Sequence, residues 1–104
     1  MSERIARFSA LVAQQPVNAL FRYSLAQALE AAGPERQAEA IEHYRLCVAS
    51  RADWMMPRIL LGKLLLRAGD VAAARVLLED ALALALAQDH QDPEAELRTL
   101  LASL

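Results

Sequence analysis

The chain has 104 residues, enough for one domain with a hydrophobic core but too few for two independently folded ones. Hydrophobic residues make up 56% of it and aromatic residues only 5%, and its abundance of Ala and Leu over strand-forming residues indicates an all-α protein. Eleven basic and thirteen acidic side chains give a formal charge of −2 without any basic run, so we expect no nucleic-acid partner.

Capping residues and prolines divide the first half of the chain into three predicted helices. Ser2 is the expected N-cap of the first helix, which Pro16 closes. Asn18 is the expected N-cap of the second helix, whose apolar face continues up to Gly33. Pro34 is expected at the first position of the third helix, where its missing N–H costs nothing.

The clearest helical periodicity lies between residues 57 and 86, where the sequence predicts a helical hairpin. Asp53 is the expected N-cap of the fourth helix, Gly69 ends it, and Asp70 caps the fifth. The two-residue joint forces these helices to run antiparallel. The small residues Gly62 and Ala74 should let their backbones approach closely.

A sixth helix is predicted at the carboxyl end of the sequence, with Asp92 as its N-cap and Pro93 at its first position. Its apolar stripe consists of Leu97, Leu100, Leu101 and Leu104. We expect this helix to hide the last apolar face of a helical stack, as the terminal element of a solenoid does.

The two central helix pairs repeat one another. Leu25, Ala26, Leu29, Gly33, Ala40, Tyr44 and Cys47 correspond to Leu61, Gly62, Leu65, Gly69, Ala74, Leu78 and Ala81. Paired helices with a period near 34 residues are typical of the tetratricopeptide (TPR) repeat. The chain resembles small bacterial TPR proteins, with a leading helix at 1–16, repeats at 17–52 and 53–88, and a capping helix at 92–104.

This resemblance implies a single all-α domain, a right-handed α-α superhelix of about six antiparallel helices that forms a TPR-like solenoid. The first helices of such repeats line a concave groove, in which family members usually hold a peptide or helix of another protein. The residues that correspond to groove positions are Leu20, Tyr23, Ser24, Gln27, Glu30, Met56, Ile59, Leu60, Lys63 and Arg67. Lys63 and Arg67 lie one turn apart, so we expect an apolar ligand that also carries an acidic side chain.

The sequence shows no group of residues typical of a catalytic, metal-binding or cofactor-binding site. We therefore expect that the protein is not an enzyme. His43 and His90 are isolated and are interpreted as surface residues, while Cys47 is interpreted as a small buried hydrophobe. Arg22 and Arg58 occupy equivalent places in the two repeats. They are either a pair of anion ligands or, as we favour, long stems that cover apolar surface while their heads pair with carboxylates.

Two alternatives to groove binding remain open at the level of sequence. The predicted groove side chains could form a merely solvated face, or the chain could be a self-associating structural module whose apolar helix faces pair in a homodimer. The segment 54–56, Trp-Met-Met, is either core or an adhesive patch. No stretch reaches the ~20 apolar residues of a membrane span and no leader sequence is evident, so we expect a cytoplasmic protein.

Overall fold

A computed structural model describes residues 2–104 of the chain. In this range the chain forms six α-helices and no β-strand, which confirms the predicted all-α class. The helices are α1 (Glu3–Gln14), α2 (Ala19–Ala31), α3 (Gln37–Ser50), α4 (Met55–Arg67), α5 (Val71–Ala87) and α6 (Gln91–Ala102). Pro34–Arg36 forms a 3-10 turn, so the third α-helix begins at Gln37 rather than at Pro34.

Three of the predicted N-caps are confirmed by hydrogen bonds from the first helical turn. The Ser2 hydroxyl accepts the Ile5 N–H, and the Asp70 carboxylate accepts an N–H at 3.2 Å in the first turn of α5. The Asn18 side-chain oxygen accepts two N–H groups, those of Leu20 at 3.1 Å and Phe21 at 3.2 Å. These bonds satisfy backbone donors that have no partner inside the helix.

The predicted N-cap of α4 was wrong by one residue. Trp54 occupies the N-cap position and makes no side-chain cap bond, while Asp53 lies before it. The backbone carbonyl of Asp53 instead accepts a hydrogen bond from the Gln88 side chain at 2.9 Å. A contact between residues 35 positions apart in sequence therefore takes the place of a local cap.

The predicted N-cap of α6 was wrong by two residues, because the end of α5 determines where the chain turns. Asp89 adopts a left-handed conformation with φ of 57°, and the His90 N–H donates back to the Ala85 carbonyl at 2.9 Å. His90 therefore takes the N-cap position that was predicted for Asp92. Pro93 still lies in the first turn, where a missing N–H breaks no helical hydrogen bond.

The described residues form two compact units, one ending at Ala52 and the other running from Asp53 to Leu104. In the first unit, α2 packs against both α1 and α3. Its buried apolar core comes from α2 and α3, since α1 contributes no fully buried residue. The core residues are Leu25, Ala26, Ala28, Leu29, Ala40, Tyr44 and Cys47.

The two equivalent arginines each donate a hydrogen bond to a backbone carbonyl. Arg22 donates to the Pro16 carbonyl at 3.0 Å and lies 3.0 Å from the Nδ1 atom of His43. Arg58, which is only 9% exposed, donates to the Trp54 carbonyl at 2.7 Å. The structural role that the sequence favoured fits these contacts, although these two partners of Arg22 are a carbonyl oxygen and a ring nitrogen rather than the carboxylates that we expected.

In the second unit, α5 packs against both α4 and α6. The core cluster consists of Met55, Ile59, Leu78, Ala81, Ala85 and Leu97. A Cβ atom added at Gly62 would lie 2.7 Å from Leu78 Cδ2 and 3.6 Å from the Ala74 carbonyl oxygen. The close approach predicted for Gly62 and Ala74 is therefore confirmed, and the side chain that enforces it is Leu78.

We expect Gly62→Ala to lower the free energy of unfolding by about 1–3 kcal/mol, because the added methyl overlaps a fully buried leucine. Alanine has the higher helix propensity, by about 1 kcal/mol, so the loss must come from the overlap. In a Leu78→Ala background the overlap disappears, and the same change should become neutral or stabilising. Chemical denaturation of the four proteins in this cycle measures the coupling. Equal losses in both backgrounds would contradict the proposed contact, and the exposed change Arg45→Ala serves as a control.

Removal of α6 should expose the core cluster of the second unit. Leu97 is fully buried against Leu78, Ala81 and Ala85, and further leucines of α6 pack around them. We expect a chain truncated after His90 to lose stability and to associate in solution through this apolar surface. Light scattering coupled to size exclusion measures the mass. A truncated chain that stays monomeric and equally stable would show that α6 covers nothing the fold needs.

Candidate functional site

Five of the predicted groove residues lie on α2 and keep at least part of their surface exposed. Leu20 is 55% exposed, and Tyr23, Ser24, Gln27 and Glu30 are half-buried. Their spacing along α2 places them on successive turns of the helix. We call these five residues the α2 surface. The opposite face of α2 is buried in the core of the first unit, so the α2 surface lies on a packed helix.

Two tyrosines and a carboxylate give the α2 surface its shape. Tyr23 meets Tyr44 edge to face, with ring centroids 6.2 Å apart and planes inclined by 62°. Tyr44 is fully buried, and its hydroxyl donates a hydrogen bond to Glu30 Oε1 at 2.7 Å. Burial and this contact with Glu30 raise the pKa of Tyr44, while burial raises that of Tyr23. Both phenols therefore remain neutral donors rather than becoming charged groups.

The other five predicted residues lie on α4, and their exposure differs from one to the next. Met56 and Arg67 are exposed, whereas Leu60 and Lys63 are half-buried. Ile59 is only 5% exposed and belongs to the core cluster of the second unit, so it offers a ligand little surface. We call Met56, Leu60, Lys63 and Arg67 the α4 surface.

Lys63 has a carboxylate partner inside the protein. Its Nζ atom forms an ion pair with Glu96 Oε1 of α6. Beside this pair lies a cavity of about 500 Å³, which we call the α4–α6 cavity. It is lined by Lys63, Ala95, Glu96, Thr99, Leu100 and Ser103. The second unit therefore presents a wide, mostly apolar surface depression that both members of this ion pair help to line.

Sequence reasoning missed the contribution of α6 to this site, because it treated the helix only as a cap. A signal was nevertheless present in the sequence. Glu96, Thr99 and Ser103 recur at spacings of three and four residues, which puts three polar groups on one face of a helix. The buried Leu97 lies on another face, so α6 both covers the core and lines the cavity.

The residues that could have carried other chemistry have mostly structural contacts. Cys47 is fully buried, as predicted, and burial raises the pKa of its thiol to about 11, which disfavours the nucleophilic thiolate. His43 is half-buried against Arg22 and was wrongly assigned to the surface, whereas His90 is exposed. In the segment 54–56, Met55 is core, while Trp54 is half-buried and Met56 is exposed.

Residues 2–104 contain no group of three or more His, Cys, Asp or Glu side chains placed to hold a metal ion. Over the same range, no helix combines the length and the hydropathy that crossing a bilayer requires.

Solved structures share this fold. PcrH, solved in complex with the chaperone binding region of PopD, matches with a TM-score of 0.85 and 21% identity, over 95% of this chain and 74% of PcrH. The solution structure of protein BPP2914 from Bordetella parapertussis matches with a TM-score of 0.78 and 30% identity, over 99% of this chain and 88% of that one. No protein-family model and no curated protein matches the sequence.

These likenesses define the class of protein. The chain has an all-α, TPR-like helical-repeat fold, which confirms the fold and the kind of protein that the sequence pattern indicated. More particularly, it belongs to the same family as the Bordetella protein BPP2914.

We expect His43 to titrate below its ordinary pKa of 6.5. Burial lowers the pKa first and the neighbouring Arg22 lowers it further, while the carboxylates of Glu39 and Glu42 act in the opposite direction without overcoming them. The folded chain therefore resists a proton that the unfolded chain takes up near pH 6.5. The resulting contribution to stability is complete above about pH 7 and is lost as the pH falls through 6.5 towards the folded-state value.

Proton NMR titration of the His43 ring measures this pKa directly, and denaturation at several pH values measures its effect on stability. The variant His43→Gln keeps a side-chain acceptor for Arg22 but should lose this part of the pH dependence. A His43 midpoint at or above 6.5 would contradict the prediction.

Proposed function

We propose that this chain is a non-enzymatic protein-binding module that holds a peptide or helix of another protein. We propose that the partner contacts the α2 surface of the first unit and the α4 surface of the second unit. The proposal also makes the protein a cytoplasmic scaffold of a bacterial cell, without a cofactor of its own.

The observation that supports this proposal most strongly is the likeness to PcrH, which was solved bound to a segment of another protein. The α2 surface adds chemical support. Its exposed leucine and half-buried tyrosine are held on a packed helix, and a supported aromatic side chain is a common anchor of protein interfaces. An enzyme would need polar side chains that converge on a pocket, and we describe no such group among residues 2–104.

The chemistry of the two surfaces suggests an amphipathic partner. Leu20, Tyr23, Met56 and Leu60 offer apolar contact, and Lys63 of the α4 surface carries a positive charge that is paired with Glu96. We propose that apolar burial supplies most of the affinity and that charges supply register and salt dependence. For a pair of small surfaces, micromolar affinity, about −8 kcal/mol, is a reasonable expectation.

Self-association is the alternative function, and exposed apolar side chains on α5 favour it. On that helix, Val76 is 59% exposed and Leu86 is 50% exposed. A second copy of the chain could cover them. Sedimentation equilibrium separates the alternatives, because a binding module remains monomeric at concentrations where a structural homo-oligomer does not.

We expect Tyr23→Ala to weaken partner binding by 2 kcal/mol or more, about thirtyfold, because it removes an anchoring aromatic side chain. Lys63→Ala should cost less, since Lys63 is a half-exposed charge. The partner is first recovered by affinity capture from the native host, and both variants are then compared by calorimetry.

Two controls accompany this comparison. Thermal denaturation establishes that Tyr23→Ala remains folded at the assay temperature, and the exposed change Arg45→Ala on α3 should leave affinity unchanged. Amide shift mapping locates the partner on the intact protein. If the signals of Tyr23 and Lys63 do not shift, and shifts are confined to exposed residues of α3 and α5, binding at the α2 and α4 surfaces is contradicted. Those exposed residues are Glu42, Arg45, Arg75 and Glu79.

A further inference from the structure

Arg22 connects two parts of the first unit through one guanidinium group. Its Nη2 atom donates to the carbonyl of Pro16, in the turn after α1, and its Nη1 atom lies 3.0 Å from Nδ1 of His43 on α3. The guanidinium is planar and rigid, so the two contacts cannot move independently. Arg22 therefore ties the turn between α1 and α2 to α3.

The carboxyl end of α1 depends on this tie, because α1 has few other restraints. The helix contributes no fully buried residue and has no basic side chain in its last turn. A cation beside the last carbonyls of a helix stabilises that end through hydrogen bonds and through the helix dipole. Arg22 supplies this charge from α2. Withdrawing Arg22 should therefore loosen the end of α1 before it loosens the core.

The contact between Arg22 and His43 requires a neutral imidazole. A guanidinium has only donors, so Nδ1 of His43 must be the acceptor and the ring proton must lie on Nε2. A proton added at Nδ1 removes the acceptor and places two cations side by side. Burial and Arg22 accordingly lower the pKa of His43. The tie exists only while His43 is neutral.

A charged His43 has alternative partners on its own helix. Within residues 2–104, the charged groups that act on His43 are Arg22 of α2 and Glu39 and Glu42 of α3. Glu39 precedes His43 by four residues, a spacing at which a carboxylate attracts a histidinium on a helix. Both carboxylates are exposed, and the pair of Glu39 with Arg36 leaves it accessible to a second cation. His43 thus has a different partner in each protonation state.

We propose that His43 and Arg22 form a proton-controlled latch on the turn between α1 and α2. While His43 is neutral, the latch is closed and Arg22 holds the Pro16 carbonyl. When His43 takes up a proton, its ring turns towards the carboxylates of α3, Arg22 withdraws, and the end of α1 opens locally while the core of the unit stays folded. This inference goes beyond the proposed function and does not depend on it.

The second repeat has the arginine of the latch without the histidine. Arg58 corresponds to Arg22 and donates to the Trp54 carbonyl at 2.7 Å, an acceptor that does not titrate. Leu77 stands where the first repeat has His43. The repeat fold therefore does not require a histidine at this position, and proton control is a property of the first repeat alone.

Hydrogen exchange of the full chain, followed by NMR, tests the latch. The reporters are the Gln15 N–H, which donates to the Leu11 carbonyl at 2.9 Å, and the Asn18 N–H, which donates to the Gln15 carbonyl at 3.0 Å. Protection factors remove the intrinsic pH dependence of exchange. We expect the protection of both amides to fall about three- to tenfold as the pH falls through the midpoint of the His43 ring titration, which corresponds to one lost hydrogen bond.

Dilute denaturant distinguishes local opening from unfolding of the whole unit. Denaturant acts on newly exposed surface, so it accelerates exchange through global unfolding far more than exchange through a small local opening. Exchange at Gln15 and Asn18 should be nearly insensitive to it. Exchange at Leu29, which is fully buried in the core of the same unit, should be sensitive.

Three variants assign the effect to the latch. His43→Gln keeps an acceptor for Arg22 that does not titrate, so the reporters should stay protected on both sides of the wild-type midpoint. Arg22→Met keeps an apolar stem but removes both contacts, so protection should be low at neutral pH and should change little in acid. Arg45→Met removes the same charge from an exposed place on α3 and should behave as the wild-type protein does.

Three results would overturn the proposal. Constant protection of Gln15 and Asn18 across the His43 midpoint would show that the proton does not release the turn. An equal loss of protection in His43→Gln would assign the pH dependence to another group. If the reporters share the protection and the denaturant dependence of Leu29, the end of α1 opens only with the whole unit and there is no latch.

Discussion

The contact between Gly62 of α4 and Leu78 of α5 is the constraint on which the second unit depends. A Cβ atom at position 62 would lie 2.7 Å from Leu78 Cδ2, so any larger residue there requires the Leu78 side chain to shift. Leu78 is fully buried and also belongs to the cluster that holds Leu97 of α6. The position of α6 follows from that cluster, and so does the ion pair of Glu96 with Lys63.

The two repeats satisfy the same packing requirement in chemically different ways. Tyr44 of the first repeat corresponds to Leu78 of the second, and Glu30 corresponds to Leu66. A buried tyrosine requires an acceptor for its hydroxyl, which Glu30 supplies at 2.7 Å. A buried leucine needs none, and Leu66 accordingly packs as an apolar residue against the core cluster. In the first unit, a carboxylate is therefore hydrogen-bonded to a core tyrosine. In the second unit, the two equivalent side chains are both apolar.

Both candidate binding surfaces contain polar groups that already have partners within their own unit. Glu30 accepts from Tyr44, and Lys63 is paired with Glu96. Engaged groups of this kind attract a ligand less than unpaired ones, while exposed apolar atoms gain free energy whenever a partner covers them. If the two surfaces bind a partner as we propose, apolar contact should therefore supply more of the affinity than charge does.

The sequence by itself determined those features of the protein that depend on neighbours within a few residues. The helices follow from apolar periodicity, and the caps at Ser2, Asn18 and Asp70 follow from side chains that reach an N–H two or three positions away. The repeat spacing indicated the fold class, and the small residue at Gly62 indicated a close helix contact. Tertiary structure decided the remainder. The cap of α6 depends on how α5 ends, the burial of Ile59 depends on α5 and α6, and the partner of Lys63 comes from a helix 33 residues away. Such contacts depend on how each helix is rotated about its axis in the packed core, and that rotation is determined by the whole set of buried side chains rather than by any local pattern.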